Sequence, residues 1–314
     1  MRLTIAMITA RAEPHVDWLV HDLTAQQRAG DRIRLLVVDA LGRSILDLAG
    51  DALHTQSGIA EGRAVLPKPN VWQGKHRIAP RDFFANANAR NTALCYCQDD
   101  YIAFLDDRVH IGPTWLETVR TACRDRTSVI CGPYDKIEDG PIDTNNVSRH
   151  VTPGTRRSLD SRAEIKPGGM SDAPGGWLFG GNFAGPLEWF LDVNGNEEGC
   201  DPTGQEDCIL GLMLGNRGKR IAFLPRMAAL QDRTGDVHVP AFPRLDKGKS
   251  PHDRSHATIT RFGTRSHTEF TPDLRAIRAR VLAEDPDPWP IPDRDGDHRD
   301  WYDTMLIRET PCPT

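Results

Sequence analysis

The sequence predicts an α/β fold, with a mostly parallel central sheet flanked by helices and a C-terminal extension. Three observations predict it. Short apolar runs that fit buried strands alternate with stretches of helical periodicity, the pattern that builds a parallel sheet. Two of those runs, RLLVVD and YIAFLDD, end on carboxylates, as strands do at the edge of an open sheet that binds ligands. Hydrophobic residues make up 39% of the chain and charged residues 26%, which supports a packed core.

Taken in order, Leu3 to Thr9 reads as a buried strand. Val16, Leu19, Val20 and Leu23 then repeat at helical spacing, with Gly30 as a stop. Arg34 to Asp39 is the second strand, and residues 42–79 are mixed and rich in turn signals. Pro80 suits a first helical turn, and Phe84, Ala87, Asn91 and Leu94 line one face of a helix to about Gln98. Tyr101 to Leu105 is a strand, Trp115 to Cys123 a helix and Ser128 to Cys131 a short strand. Residues 132–175 show no convincing element and read as a long functional loop. A strand-like WLF follows, then GGNFAGP, a helix over Leu187 to Val193 and a Gly195 stop. A helix opens at Glu206 and ends at Gly215, and Arg220 to Leu224 is one more strand.

The chain has 314 residues, with 39 basic against 44 acidic side chains and a formal charge of −5. That balance argues against broad coating of nucleic acid. No run approaches the ~18 apolar residues of a membrane span, and Thr4 and Thr9 interrupt the N-terminal apolar run, so no leader is expected. Seven cysteines without a CxxC pair suggest reduced thiols and a cytoplasmic location, not a disulfide framework or zinc site. The expected organisation is a main domain over 1–240 and an extension over 241–314. The extension begins as a basic lid-like segment and ends as an acidic, proline-rich tail.

The carboxylates carry most of the functional signal. Asp106 and Asp107, adjacent after a buried strand, repel each other unless a cation lies between them or one is protonated. Oxygen ligands favour Mg²⁺ or Mn²⁺, which usually also hold the phosphates of a substrate. Asp39 stands alone after its strand, where a turn role competes with a binding one. Glu206 and Asp207 complement a helix dipole, yet a carboxylate at the rim of a cleft also suits a general base.

The order VVD, ARNTAL, YIAFLDDR, GGNFAGPLEWFLDVNG, GQEDCILGLML resembles family 2 glycosyltransferases of the GT-A (nucleotide-diphospho-sugar transferase) fold, over about residues 1–230. The resemblance implies that Thr9, Arg11, Glu13 and Asp39 hold the base and ribose of a nucleotide sugar, with Arg90 on the helix facing it. It implies that Asp107 binds the cation while Asp106 contacts ribose or water near it, and that Gly180, Gly181 and Asn182 line the donor sugar. Asp207 becomes the base of an inverting transfer and Glu206 a contact to acceptor or donor. The implied co-substrate is a UDP-sugar, with Mn²⁺ or Mg²⁺. The acceptor stays open among protein, glycan, small molecule and modified nucleic acid base.

Three departures qualify the resemblance. Arg108 stands where a third carboxylate is common and is expected to point away or meet a phosphate. Gln231 falls where the family often has a metal-binding histidine, leaving His238 as first candidate for that ligand, with His252 and His256 behind it. No QxxRW segment is present, which favours transfer of a single sugar. A sugar nucleotidyltransferase would need a glycine-rich loop where ARAEP stands, and an aspartyl phosphohydrolase a DxDx[TV] after the first strand. A non-catalytic carbohydrate- or nucleotide-binding module would fit the loss of an acidic pair, and both pairs are present. The reading requires Asp107 and Asp207 to share one cleft, with an opening beside Asp107.

Overall fold

The computed structural model describes residues 1–55, 58–69, 85–139, 156–201, 204–234 and 258–289. Its larger sheet has seven strands: β1 (Arg2–Thr9), β2 (Arg32–Asp39), β3 (Ile59–Val65), β4 (Tyr101–Asp106), β6 (Val129–Cys131), β9 (Asn182–Pro186) and β10 (Ile221–Phe223). Their order is β10-β6-β9-β4-β1-β2-β3, and only β9 runs antiparallel to its neighbours. The mostly parallel sheet expected from the sequence is therefore present.

Helices cover both faces. On one lie α1 (Val16–Gln26) and α5 (Trp115–Asp125), packed through Val16, Leu19, Val20, Trp115 and Val119. On the other lie α4 (Asn86–Tyr96), α7 (Leu187–Asp192), α8 (Glu206–Asn216) and a C-terminal helix α9 (Leu274–Leu282), around Phe104, Phe183 and Phe190. The stretch expected to be mixed holds the short helices α2 (Ile45–Ala49) and α3 (Ala52–Thr55) and then edge strand β3. Exposure of Glu61 and Arg63 hides β3 from an apolar-run reading. The start proposed at Pro80 lies outside the described residues.

Residues 132–175 are not elementless. They contain β7 (Tyr134–Asp139), β8 (Arg156–Ser158) and α6 (Ser161–Ile165). With β5 (Val109–Ile111) and β11 (Ala229–Asp232) these strands form a second sheet, ordered β5-β11-β7-β8. Its strands are short and polar, so they depend on pairing partners far along the chain. The WLF segment is not a strand either; Gly175–Trp177 is a 3-10 turn seated on α8. A Cβ on Gly211 would come within 2.0 Å of the Gly175 carbonyl oxygen, so glycine is needed for that contact.

Register decides what meets at the sheet edge. Thr9 pairs with Asp39, and Ile8 with Asp106, so β1, β2 and β4 end together. Strand β9 enters at the same edge, with Asn182 opposite Leu105. Gly180 and Gly181 are thereby placed beside Asp106.

Candidate active site

The site forms where four distant segments reach that edge. Arg90, from α4, donates from Nη1 to Glu206 Oε1 at 2.6 Å and from Nη2 to Asp106 Oδ1 at 3.3 Å. One guanidinium thus bridges the two acidic pairs. Burial alone would lower its pKa, but Glu206, then Asp106 and Asp207, outweigh this and hold Arg90 above its ordinary value. Glu206 is buried, and burial with the Asp207 charge raises its pKa against the pull of Arg90.

Asp207 lies on the first turn of α8 and is only partly covered. Its Oδ2 accepts the Gly180 N–H at 2.6 Å, and Oδ1 accepts from Cys208 N at 2.7 Å. Tyr134, on β7, donates its hydroxyl to Asp106 Oδ2 at 2.9 Å. Burial, then the Asp106 charge, pushes that phenol well above its usual range, so it stays a donor. Glycines make this closeness possible: a Cβ on Gly180 would sit 2.3 Å from Arg90 Nη2, and one on Gly181 2.3 Å from the Tyr134 ring.

Asp107 turns the other way. Its Oδ2 accepts from Thr9 Oγ1 at 2.6 Å and its Oδ1 from Arg11 Nε at 2.8 Å, and the residue is 5% exposed. Gln231 on β11 donates to the Asp107 carbonyl at 3.2 Å. Burial raises the Asp107 pKa, with Arg11 opposing. Asp106, by contrast, keeps 27% of its side chain exposed and has one lone pair on each oxygen beyond its protein partners.

Residues 75–180 match the model of glycosyl transferase family 2. That match covers about a third of the chain. No curated protein matches it. Among solved structures, Staphylococcus aureus TarS 1-349 aligns at TM-score 0.50 and 12% identity, over 74% of this chain and 60% of that one. The same protein in complex with UDP-GlcNAc aligns at TM-score 0.50 and 13% identity, over 92% and 72%. At such identities the likeness shows the fold, which is GT-A-like. The chain spans about 60% of the length of the first of these structures.

Several of the expected site residues already have protein partners. The carboxylate pair does reach the sheet edge, but Asp107 is buried against Arg11 and the partly exposed member is Asp106, so the expected opening beside Asp107 is not met. Asp107 accepts from Thr9 and Arg11. Asp39 is fully buried, and Arg43 clamps it from Nε and Nη2 at 2.9 Å each, while Leu41 and Arg43 backbone amides cap it. These are the contacts of a turn residue. Asn182 faces the core: Trp115 Nε1 donates to it at 2.8 Å, and its amide reaches the Pro133 and Met227 carbonyls. Glu206 pairs with Arg90 at 2.6 Å. Glu13 is exposed and lies 3.9 Å from His15. Arg108 points away as expected, to the Asp232 and Thr234 carbonyls at 2.8 Å each.

His238, His252 and His256 lie outside the described residues, as do most of the lid-like segment and the acidic tail. Among the described residues no group of three or more His, Cys, Asp or Glu is arranged to hold a metal ion. A cation shared between Asp106 and substrate phosphates fits here, since a Mg²⁺-type site needs only one or two carboxylates. Sequence reasoning missed Tyr134 and Lys136 because both lie in the stretch read as loop. Their alternation along YDKIED was the available signal.

Proposed function

We propose that this protein is a glycosyltransferase that moves one sugar from a nucleoside-diphosphate sugar to an acceptor hydroxyl, with inversion and with Asp207 as the base. The observation that carries the reading is Arg90 joining Glu206 to Asp106, because it gathers two acidic pairs about a hundred residues apart at one cleft. Asp207 fits the base because its carboxylate is partly open and is aimed by the Gly180 N–H. The acceptor O–H gives its proton to Asp207 while its oxygen bonds to the anomeric carbon. The bond from that carbon to the phosphate oxygen breaks, and the nucleoside diphosphate leaves with the electron pair.

Asp106 would hold a divalent cation against the diphosphate, and the cation would offset the charge that develops there. UDP-sugars are the first donors to test, because the TarS structure that aligns over most of this chain was solved with UDP-GlcNAc. Asp39 does not support that choice, since Arg43 occupies it. The test measures release of nucleoside diphosphate from a panel of nucleotide sugars, with and without Mn²⁺ or Mg²⁺. Asp207→Asn should leave donor binding within a few-fold and reduce transfer at least about 10²-fold. Full transfer by Asp207→Asn removes the base assignment, and donor binding without any turnover removes the catalytic reading.

A further inference from the structure

The cleft as built repels the substrate it is proposed to bind. Asp106, Glu206 and Asp207 bring three carboxylates against the single guanidinium of Arg90. A diphosphate entering that field needs further positive charge from the walls.

Strand β7 supplies it. Successive side chains on a strand alternate between faces, so Tyr134, Lys136 and Glu138 share one face. That face looks onto the site, because the Tyr134 ring packs on Gly181 and its hydroxyl bonds Asp106. Lys136 Nζ lies 5.5 Å from the centre of the Tyr134 ring. Its register partner on β11 is Gln231, whose amide reaches Asp107. Arg233, two residues on, donates to Gln231 Oε1 at 3.2 Å and lies 3.9 Å from Glu138, which balances its charge and leaves Lys136 as the cation of this face without such a partner among the described residues. Lys136 is half-buried and makes no hydrogen bond or ion pair with any described residue. A partly desolvated ammonium without a hydrogen-bond acceptor is costly, and an arriving anion removes that cost.

We propose that Lys136 is the side chain that receives the donor diphosphate, an ammonium held on the β7 face beside Asp106 through its contact with the Tyr134 ring. This rests on the glycosyltransfer reading and adds to it the group that grips the leaving phosphates. As the acceptor–sugar bond forms, Lys136 offsets the growing negative charge on the departing diphosphate and gives up no proton in doing so.

Calorimetric titration of the full chain with UDP, GDP and CDP, each with Mn²⁺ present, selects the tightest diphosphate, which is then compared with its own monophosphate. Lys136→Met should weaken the diphosphate about tenfold or more, the scale of one charge-assisted hydrogen bond, and the monophosphate by less than about threefold. Lys136→Arg should restore most of the diphosphate affinity. Equal diphosphate affinity in Lys136→Met overturns the proposal, and so does an equal loss of diphosphate and monophosphate. If Lys136→Met melts early, Lys136→Gln takes its place under the same criteria. If the unaltered protein binds none of the three diphosphates, the donor reading falls and Lys136 falls with it. Binding by the unaltered protein that Lys136 does not affect leaves the donor reading standing.

Discussion

Arg90 is the residue on which the two halves of the cleft depend. Lysine cannot copy its planar fork, which meets Glu206 with one nitrogen and Asp106 with another. Arg90→Met should destabilise the protein by about 3–5 kcal/mol, the cost of leaving buried carboxylates unpaired. Arg90→Lys should cost less stability yet still depress transfer, and urea unfolding beside an activity assay separates the two effects. The family resemblance drew attention to Arg90, Asp106, Asp107 and Asp207, with Arg90 cast as facing the nucleotide and Asp107 as the cation ligand. It did not tell which of Asp106 and Asp107 is the partly exposed member, because that depends on Thr9 and Arg11 at a strand end nearly a hundred residues earlier. Nor did it show that Arg43 would fill Asp39, although the two are only four residues apart.

Among the elements, the junction before α8 is held by a polar knot instead of an apolar one. Asn91 on α4 donates to the Asn196 carbonyl at 2.8 Å and to Glu198 Oε1 at 2.9 Å, and Lys68 pairs with Glu198 at 2.5 Å. Asp201 caps the start of α4, accepting from Ala87 N at 2.7 Å and Asn88 N at 3.3 Å. Loss of that cap in Asp201→Ala should cost about 1 kcal/mol by thermal or urea unfolding. Glu197, fully buried, accepts backbone N–H groups from Gly199, Glu269 and Phe270 and so ties the segment before α9 to the body. Burial raises its pKa above 4.5, with those amides opposing.

A carboxyl raised in the folded state favours folding fully below its unfolded pKa, and that contribution is lost as pH climbs through the folded value. Stability should therefore fall from this source as pH rises above about 4.5. Glu197→Gln, which does not ionise, should gain on the unaltered protein over the same range. Melting temperatures measured across that range check the sign; a difference that does not change with pH removes the assignment. The helices and buried strands of this region follow from apolar periodicity. The knot does not, because NGNEEG reads as an ordinary turn until Asn91 and Thr271 are brought against it.

At the scale of the whole molecule, the described cysteines at 95, 97, 123, 131, 200 and 208 are all free and buried. Burial pushes Cys97 up to about 11 and Cys95 and Cys131 up to about 12. Native protein at pH 8 should thus give a disulfide reagent no fast-reacting thiol apart from Cys312, which lies outside the described residues. Cys312→Ser should remove any fast phase, and unfolding should release the rest. No helix among the described residues is long and apolar enough to cross a membrane. The sequence by itself determined the alternation of strand and helix, the core, and the presence of two acidic pairs at element ends, because each is set by local periodicity and residue chemistry. Only the tertiary structure decided that β5, β7, β8 and β11 form a second sheet, that Asp107 pairs with Arg11, and that Lys136 lies over the Tyr134 ring. Those outcomes rest on pairings between segments far apart in the chain, and on which oxygen finds a buried donor first.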